Sequence, residues 1–242
     1  MFWARGPHPG NVGDLIGPYL YEKDTGKKPV YERKGNPSLI TCGSTIRFAG
    51  PDTTVWGAGH IQQGDHSDPR ASYVAVRGPL TREMVLADGG TCPELYGDPA
   101  SCLPFVYTPK IPRDRRPALV PHYVDLGIAR ERIPDIDMKV VSPLTDDVEG
   151  FIDEVAYAPF VISSSLHGCL IPLAYGVPVC WAEFSDGVIG SGFKFRDALG
   201  PNHVPIDCRE TWGVGMKRDA TYIFSTGRSV LDLWEARPWR SV

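Results

Sequence analysis

The sequence predicts an α/β fold of two parallel-sheet units. Three observations point there. Short apolar runs alternate with amphipathic stretches along most of the 242 residues, the pattern of parallel strands joined by helices. Those runs end in glycine- or serine-rich turns, as at Gly57-Ala58-Gly59 and Ser163-Ser164-Ser165. The alternation breaks once, over residues 107–117, where prolines and charges crowd together and apolar periodicity stops, as in an interdomain linker. The expected units are residues 1–108 and 117–225, with 226–242 a C-terminal helix that packs back on the first unit.

Composition narrows the function. Hydrophobic residues make up 42% and charged residues 22%, the balance of an ordinary globular protein. The net charge of −4 supplies no basic field, so nucleic acid is not an expected partner. No run reaches the roughly 20 apolar residues of a membrane span, and residues 1–5 carry no signal-peptide core. The expected location is the cytoplasm. Cys42, Cys92, Cys102, Cys169, Cys180 and Cys208 are scattered without a C-x-x-C pair. They read as small buried hydrophobes rather than disulfides or metal ligands.

In the first half, residues 1–5 form a candidate strand. The turn 6–14 follows, containing Asn11-Val12-Gly13-Asp14, and a helix is expected over 15–23. Asn11 and Asp14 either cap that helix or touch a ligand. The turn lacks the Gly-Lys-Ser/Thr ending of a P-loop. Strands are expected over 38–42, 53–56 and 73–76. Arg77 closes the last of these, and Pro79 suits the first position of a helix that ends near Gly89. An arginine at such a strand end is well placed to hold a phosphate or carboxylate. Asp98, in Gly97-Asp98-Pro99, is a candidate cap of the next helical segment.

The second half restarts with strands at 118–120 and 139–142. Val148, Phe151, Ile152, Val155 and Ala156 give the clearest amphipathic helix, with Thr145 as its expected cap. The central unit follows: strand 160–162, serine turn 163–165, a helix from Leu166 to near Gly176 despite Pro172, and strand 177–181. Open α/β sheets bind ligands at such strand ends, and a helix N-terminus suits an anion. His167 falls in the first helical turn. Residues 183–195 are glycine-rich and carry Lys194, and Val230, Leu233 and Trp234 mark a final helix.

Six of these segments, in this order, resemble the polysaccharide pyruvyl transferases: Asn11-Val12-Gly13-Asp14, Val76-Arg77-Gly78-Pro79-Leu80-Thr81, Gly97-Asp98-Pro99, Val120-Pro121-His122-Tyr123, Ser163-Ser164-Ser165-Leu166-His167-Gly168 with Gly176-Val177-Pro178, and Lys194. The resemblance implies two Rossmann-like domains facing a cleft, as in GT-B glycosyltransferases. It also implies transfer of the pyruvyl group of phosphoenolpyruvate to a sugar as a cyclic ketal, with phosphate released. Two departures stand out. The chain is short for that family, and Ser165 occupies a position where many members carry arginine.

Such a reaction needs cations and free N–H groups for the donor, and a proton carrier near neutral pH. His167 and Asp14 are the expected acid/base pair. Arg77, Lys194, Ser164, Ser165, Asn11 and Gly13 are the expected donor contacts, with Asp98 and His122 as further candidates. A donor phosphate would favour the charged form of His167 when acid is needed. No metal or cofactor is expected beyond the donor itself. The acceptor is expected to be a lipid-linked or nucleotide-linked sugar, reached by peripheral association with membrane assembly machinery. Two rival readings are a nucleotide-sugar glycosyltransferase with Glu183 as its ribose carboxylate, and a non-catalytic sugar- or anion-binding module.

Overall fold

A computed structural model describes residues 1–6, 9–134, 136–200, 202, 205–207 and 228–240. Cys208 and the end of the expected second unit lie outside them. The fold is α/β with two parallel sheets. The first has the order β1 (Leu39–Ile40), β2 (Thr54–Trp56), β3 (Ser72–Ala75). The second contains β4 (Ala118–Val120), β5 (Lys139–Val140), β6 (Val161–Ser163), β7 (Val179–Glu183) and β8 (Ile206–Asp207), in the order β5-β4-β6-β7-β8. Among the described residues every strand pairing is parallel. β4 and β6 are buried throughout, as expected of strands covered on both faces.

Among the described residues seven α-helices accompany them: α1 (Val12–Thr25), α2 (Pro79–Ala87), α3 (Ala129–Arg132), α4 (Val148–Val155), α5 (Leu166–Ala174), α6 (Phe193–Leu199) and α7 (Arg228–Glu235). A longer 3-10 segment runs over Pro99–Phe105. Several local expectations change. Residues 1–5 give one parallel bridge, Phe2 to Ile40, and no strand. The first helix begins at Val12, because Asn11 caps it. The cap of α4 is Asp147, whose Oδ1 accepts from Gly150 N at 2.8 Å, in place of Thr145. α6 and β8 had no periodic signal. α6 follows Gly192, whose φ of 75° favours glycine.

One apolar cluster spans both halves. It joins Val12, Ile16 and Leu20 of α1 and Leu103 to Val161, Leu166, Cys169 and Ile171 of the second half. The strands therefore lie in separate sheets while the helices between them share a core. α7 lies against the first half: Trp56 Nε1 donates to Leu233 O at 2.9 Å. Trp239 meets Trp56 edge-on at 5.1 Å, and Trp234 stacks on Phe105 at 5.3 Å. Such aromatic pairs contribute about 0.5–1.5 kcal/mol each beyond their burial. Among the described residues no helix is long and apolar enough to cross a membrane.

Candidate active site

The packing of α1 against α5 sets two helix N-termini beside one cleft. Asn11 caps α1, its Oδ1 accepting from Gly13 N at 3.1 Å. Ser165 caps α5, its Oγ accepting from Gly168 N at 3.4 Å. The cleft, about 360 Å³, draws its walls from both halves, including Asn11, Asp14, Ser44, Thr45 and Arg47 from the first and His122, Ser165, His167 and Lys194 from the second.

His167 lies at the junction. It is only 9% exposed. Its Nε2 faces Asp98 Oδ2 at 3.4 Å, within ion-pair range yet without hydrogen-bond geometry, so both buried atoms lack a hydrogen-bond partner. Asp98 is held from its other oxygen, which accepts from Ala100 N at 2.9 Å. On the opposite side the imidazole packs on Gly13, where a Cβ would run into Nδ1. Cys42 Sγ donates to Gly13 O at 3.0 Å. Burial, with Asp98 and Asp14 nearby, holds the Cys42 thiol well above its usual range. That glycine is thus fixed by the ring it must admit.

Electrostatics separate the titratable groups. Burial pushes the Asp14 carboxyl up to about 6, against the pull of His167 and Lys194. Burial pulls the Lys194 ammonium down to about 8; the Arg77 charge adds to this and Asp14 opposes it. Burial, reinforced by Lys194, lowers His122 to about 4, so that ring is neutral at neutral pH.

The structure brings Asp14, His167, Lys194, His122, Asn11 and Ser165 to this cleft, with Asp98 behind His167. Three expected contacts are corrected. Arg77 is not at the cleft surface: its side chain is fully buried and its Nε donates to Asp197 Oδ2 at 2.9 Å. Ser164 is occupied inside the second half. Its Oγ donates to Asp125 Oδ2 at 2.6 Å and accepts from His122 N at 2.9 Å. Asp125 also accepts from Ser185 Oγ. The Gly13 amide is taken by Asn11, so that glycine serves the site through its missing side chain.

Sequence reasoning missed Arg47, which lines the cleft from the 3-10 turn Ile46–Phe48. The signal was available: the strand at 38–42 runs into Gly43-Ser44-Thr45, a strand-end turn of the same kind as the serine turn.

The profile of a family described as polysaccharide pyruvyl transferase matches residues 22–183, about two thirds of the chain. That stretch includes Arg77, Asp98, His122 and His167 and leaves out Asp14 and Lys194. An uncharacterized protein, L143, of Acanthamoeba polyphaga mimivirus is 28% identical over 205 residues, spanning 78% of this chain and 70% of that one. The crystal structure of the glycosyltransferase SnogD from Streptomyces nogalater covers 93% of this chain and 74% of its own, at 15% identity and a TM-score of 0.34.

Proposed function

The chain belongs to the polysaccharide pyruvyl transferase family, and from that premise we propose that it moves the pyruvyl group of phosphoenolpyruvate onto a sugar as a cyclic ketal, releasing phosphate. The observation that carries this reading is the meeting of Asp14, His167 with Asp98, and Lys194 at one cleft. On the same reading the two sheet-bearing halves are the Rossmann-like units of a GT-B-like enzyme, with the donor held between them.

The donor is an anion with a phosphate and a carboxylate. Lys194 and Arg47 meet that charge, and the N–H groups opening α5 assist. Asp14 gives its proton to the donor methylene carbon, which leaves an oxocarbenium-like centre at the neighbouring carbon. A carboxyl held near 6 by burial keeps enough of its acid form near neutrality for that task. An acceptor hydroxyl then bonds to the cationic carbon and passes its proton to His167. Asp98, 3.4 Å from Nε2, stabilises the charged imidazole, the electrostatic part of what an aspartate does behind a catalytic histidine. The bond between that carbon and the phosphate oxygen breaks next, His167 passes its proton to the departing phosphate, and the second hydroxyl closes the ketal, returning a proton to Asp14. One donor and one diol give one ketal and one phosphate, so the sequence balances.

The test is direct. The purified chain is incubated with phosphoenolpyruvate and a panel of sugar diols, including nucleotide- and lipid-linked ones, and both phosphate and the ketal methyl signal in NMR are followed. Phosphate release that depends on acceptor, with equal ketal formed, is expected. Sugar transfer from a nucleotide sugar without phosphoenolpyruvate turnover would replace this reading with the glycosyltransferase one.

A further inference from the structure

Arg77 is sealed away from the cleft, yet it grips the element that carries the cleft's lysine. The Asp197 carboxylate accepts Arg77 Nε at 2.9 Å, Thr81 N at 2.9 Å and Thr81 Oγ1 at 2.7 Å. Arg77 and Thr81 flank the start of α2 in the first half. Asp197 stands on α6 in the second half, three residues after Lys194. The approach is close: a Cβ on Gly78 would run into the Asp197 carbonyl oxygen, and one on Gly59 would lie 2.5 Å from Arg77 Cζ. The guanidinium also donates from Nη1 to Ser44 Oγ at 3.0 Å and from Nη2 to His60 O at 2.5 Å.

We infer that Arg77, Thr81 and Asp197 form a clamp across the two halves that locks α6 in place and holds the Lys194 ammonium over the donor site. Arg77 and Asp197 are then positioning residues for Lys194, and neither touches the donor. This rests on the reading that Lys194 meets an anionic donor. A buried ion pair contributes little net stability over apolar residues of the same volume, so its value here is directional. Three bonds to one carboxylate, together with the Phe195 ring stacked on Trp181 at 4.4 Å, fix the rotation of a seven-residue helix. Lysine needs such support, since its ammonium rides on a flexible four-carbon stem.

The clamp is also electrical. Lys194 is faced by Arg77 from the first half, by Asp14 from α1 and by His122 from the second half. The Phe195 ring lies 5.6 Å from Nζ, and Asp197 stands on the same helix. Arg77 disfavours the ammonium and Asp14 favours it. Deleting the Arg77 charge should therefore move the titration of Lys194 upward.

The experiment uses the full chain labelled with 13C at lysine Cε, titrated by NMR without substrate, with Lys194 assigned through Lys194→Arg. Arg77→Met should move the Lys194 midpoint upward, and Asp197→Asn tests the grip on α6 through the donor KM. Both should raise the KM for phosphoenolpyruvate about tenfold while leaving the acceptor KM nearly unchanged. An unmoved midpoint in Arg77→Met, or equal rises in both KM values, would overturn the clamp. Should these variants fail to fold, Thr81→Val deletes the hydroxyl's bond to Asp197, with its weaker bond from His60 N, and no charge. It should leave the midpoint in place and raise the donor KM severalfold, and an unaltered donor KM would overturn the inference. If the wild-type chain binds no phosphoenolpyruvate, the donor reading fails, while the ligand-free titration still decides the electrical half of the clamp.

Discussion

Two turns of this molecule look alike in sequence and do opposite things. Both join the end of a parallel strand to a helix: β6 to α5 through Ser164 and Ser165, and β3 to α2 through Arg77 and Gly78. At the first, His167 reaches a cleft. At the second, α6 of the other half covers the turn, and Arg77 is consumed by Asp197. The strand-end rule finds both places. What decides between ligand site and internal joint is which element of the opposite half lies across the turn, and that is a property of the assembled fold.

The comparison breaks most easily at His167. His167→Ala should lower turnover about 10²–10⁴-fold, the usual worth of a positioned acid or base, while the melting temperature stays nearly fixed. His167→Gln should recover little if the ring carries protons. A well-folded His167→Ala enzyme with near-native turnover would remove the open turn from the chemistry. At the covered turn the balance should invert. Arg77→Ala leaves the Asp197 carboxylate buried without its cation and should cost about 3–5 kcal/mol of stability, read as a large drop in the denaturation midpoint.

Much of this was legible in the chain, for physical reasons that differ by element. The strands at 118–120 and 161–163 read cleanly because burial on both faces demands unbroken apolar runs. α4 was legible because its apolar face repeats at helical spacing. His167 stood out because the serine turn before it marks a helix start. α6 was not legible. It is seven residues long, begins after a left-handed glycine, and carries buried Lys194 and Asp197 on the faces where a pattern search expects apolar residues. The role of Arg77 was hidden for the same reason: its partner lies 120 residues away. Arg47 carries no periodic signal of its own, and only the strand-end turn Gly43-Ser44-Thr45 before it marks its place.

A smaller effect sharpens the picture of Asp14. In the folded chain its carboxyl titrates near 6, against 3.8 for the free group. The folded state therefore holds its proton more tightly. The corresponding stability is present in full below about pH 4 and is lost as pH rises through 6. At pH 7 the ionised, buried carboxylate costs about 1–3 kcal/mol. Asp14→Asn should thus match the wild type near pH 4 and be more stable at pH 7 by about that amount, while losing turnover. Parallel stability–pH curves for the two proteins would show that Asp14 is not held as described.

The smallest effect separates the two cations of the cleft. Lys194 is 9% exposed, so its charge acts through a poorly screened medium. Arg47 is exposed at the rim, with its guanidinium 4.9 Å from the Phe48 ring centroid. A charge in that position is screened by water and salt, and its pairing with a ligand is worth about 1 kcal/mol or less. Arg47→Ala should therefore raise the KM for phosphoenolpyruvate only about threefold to fivefold at low salt, with kcat nearly unchanged. The difference from wild type should shrink as ionic strength rises past the point where the Debye length falls below about 8 Å. Lys194→Ala should cost far more and keep most of its deficit in salt. Equal, salt-independent losses for the two variants would mean that Arg47 is drawn into the cleft and desolvated when the donor binds, making it a second inner cation.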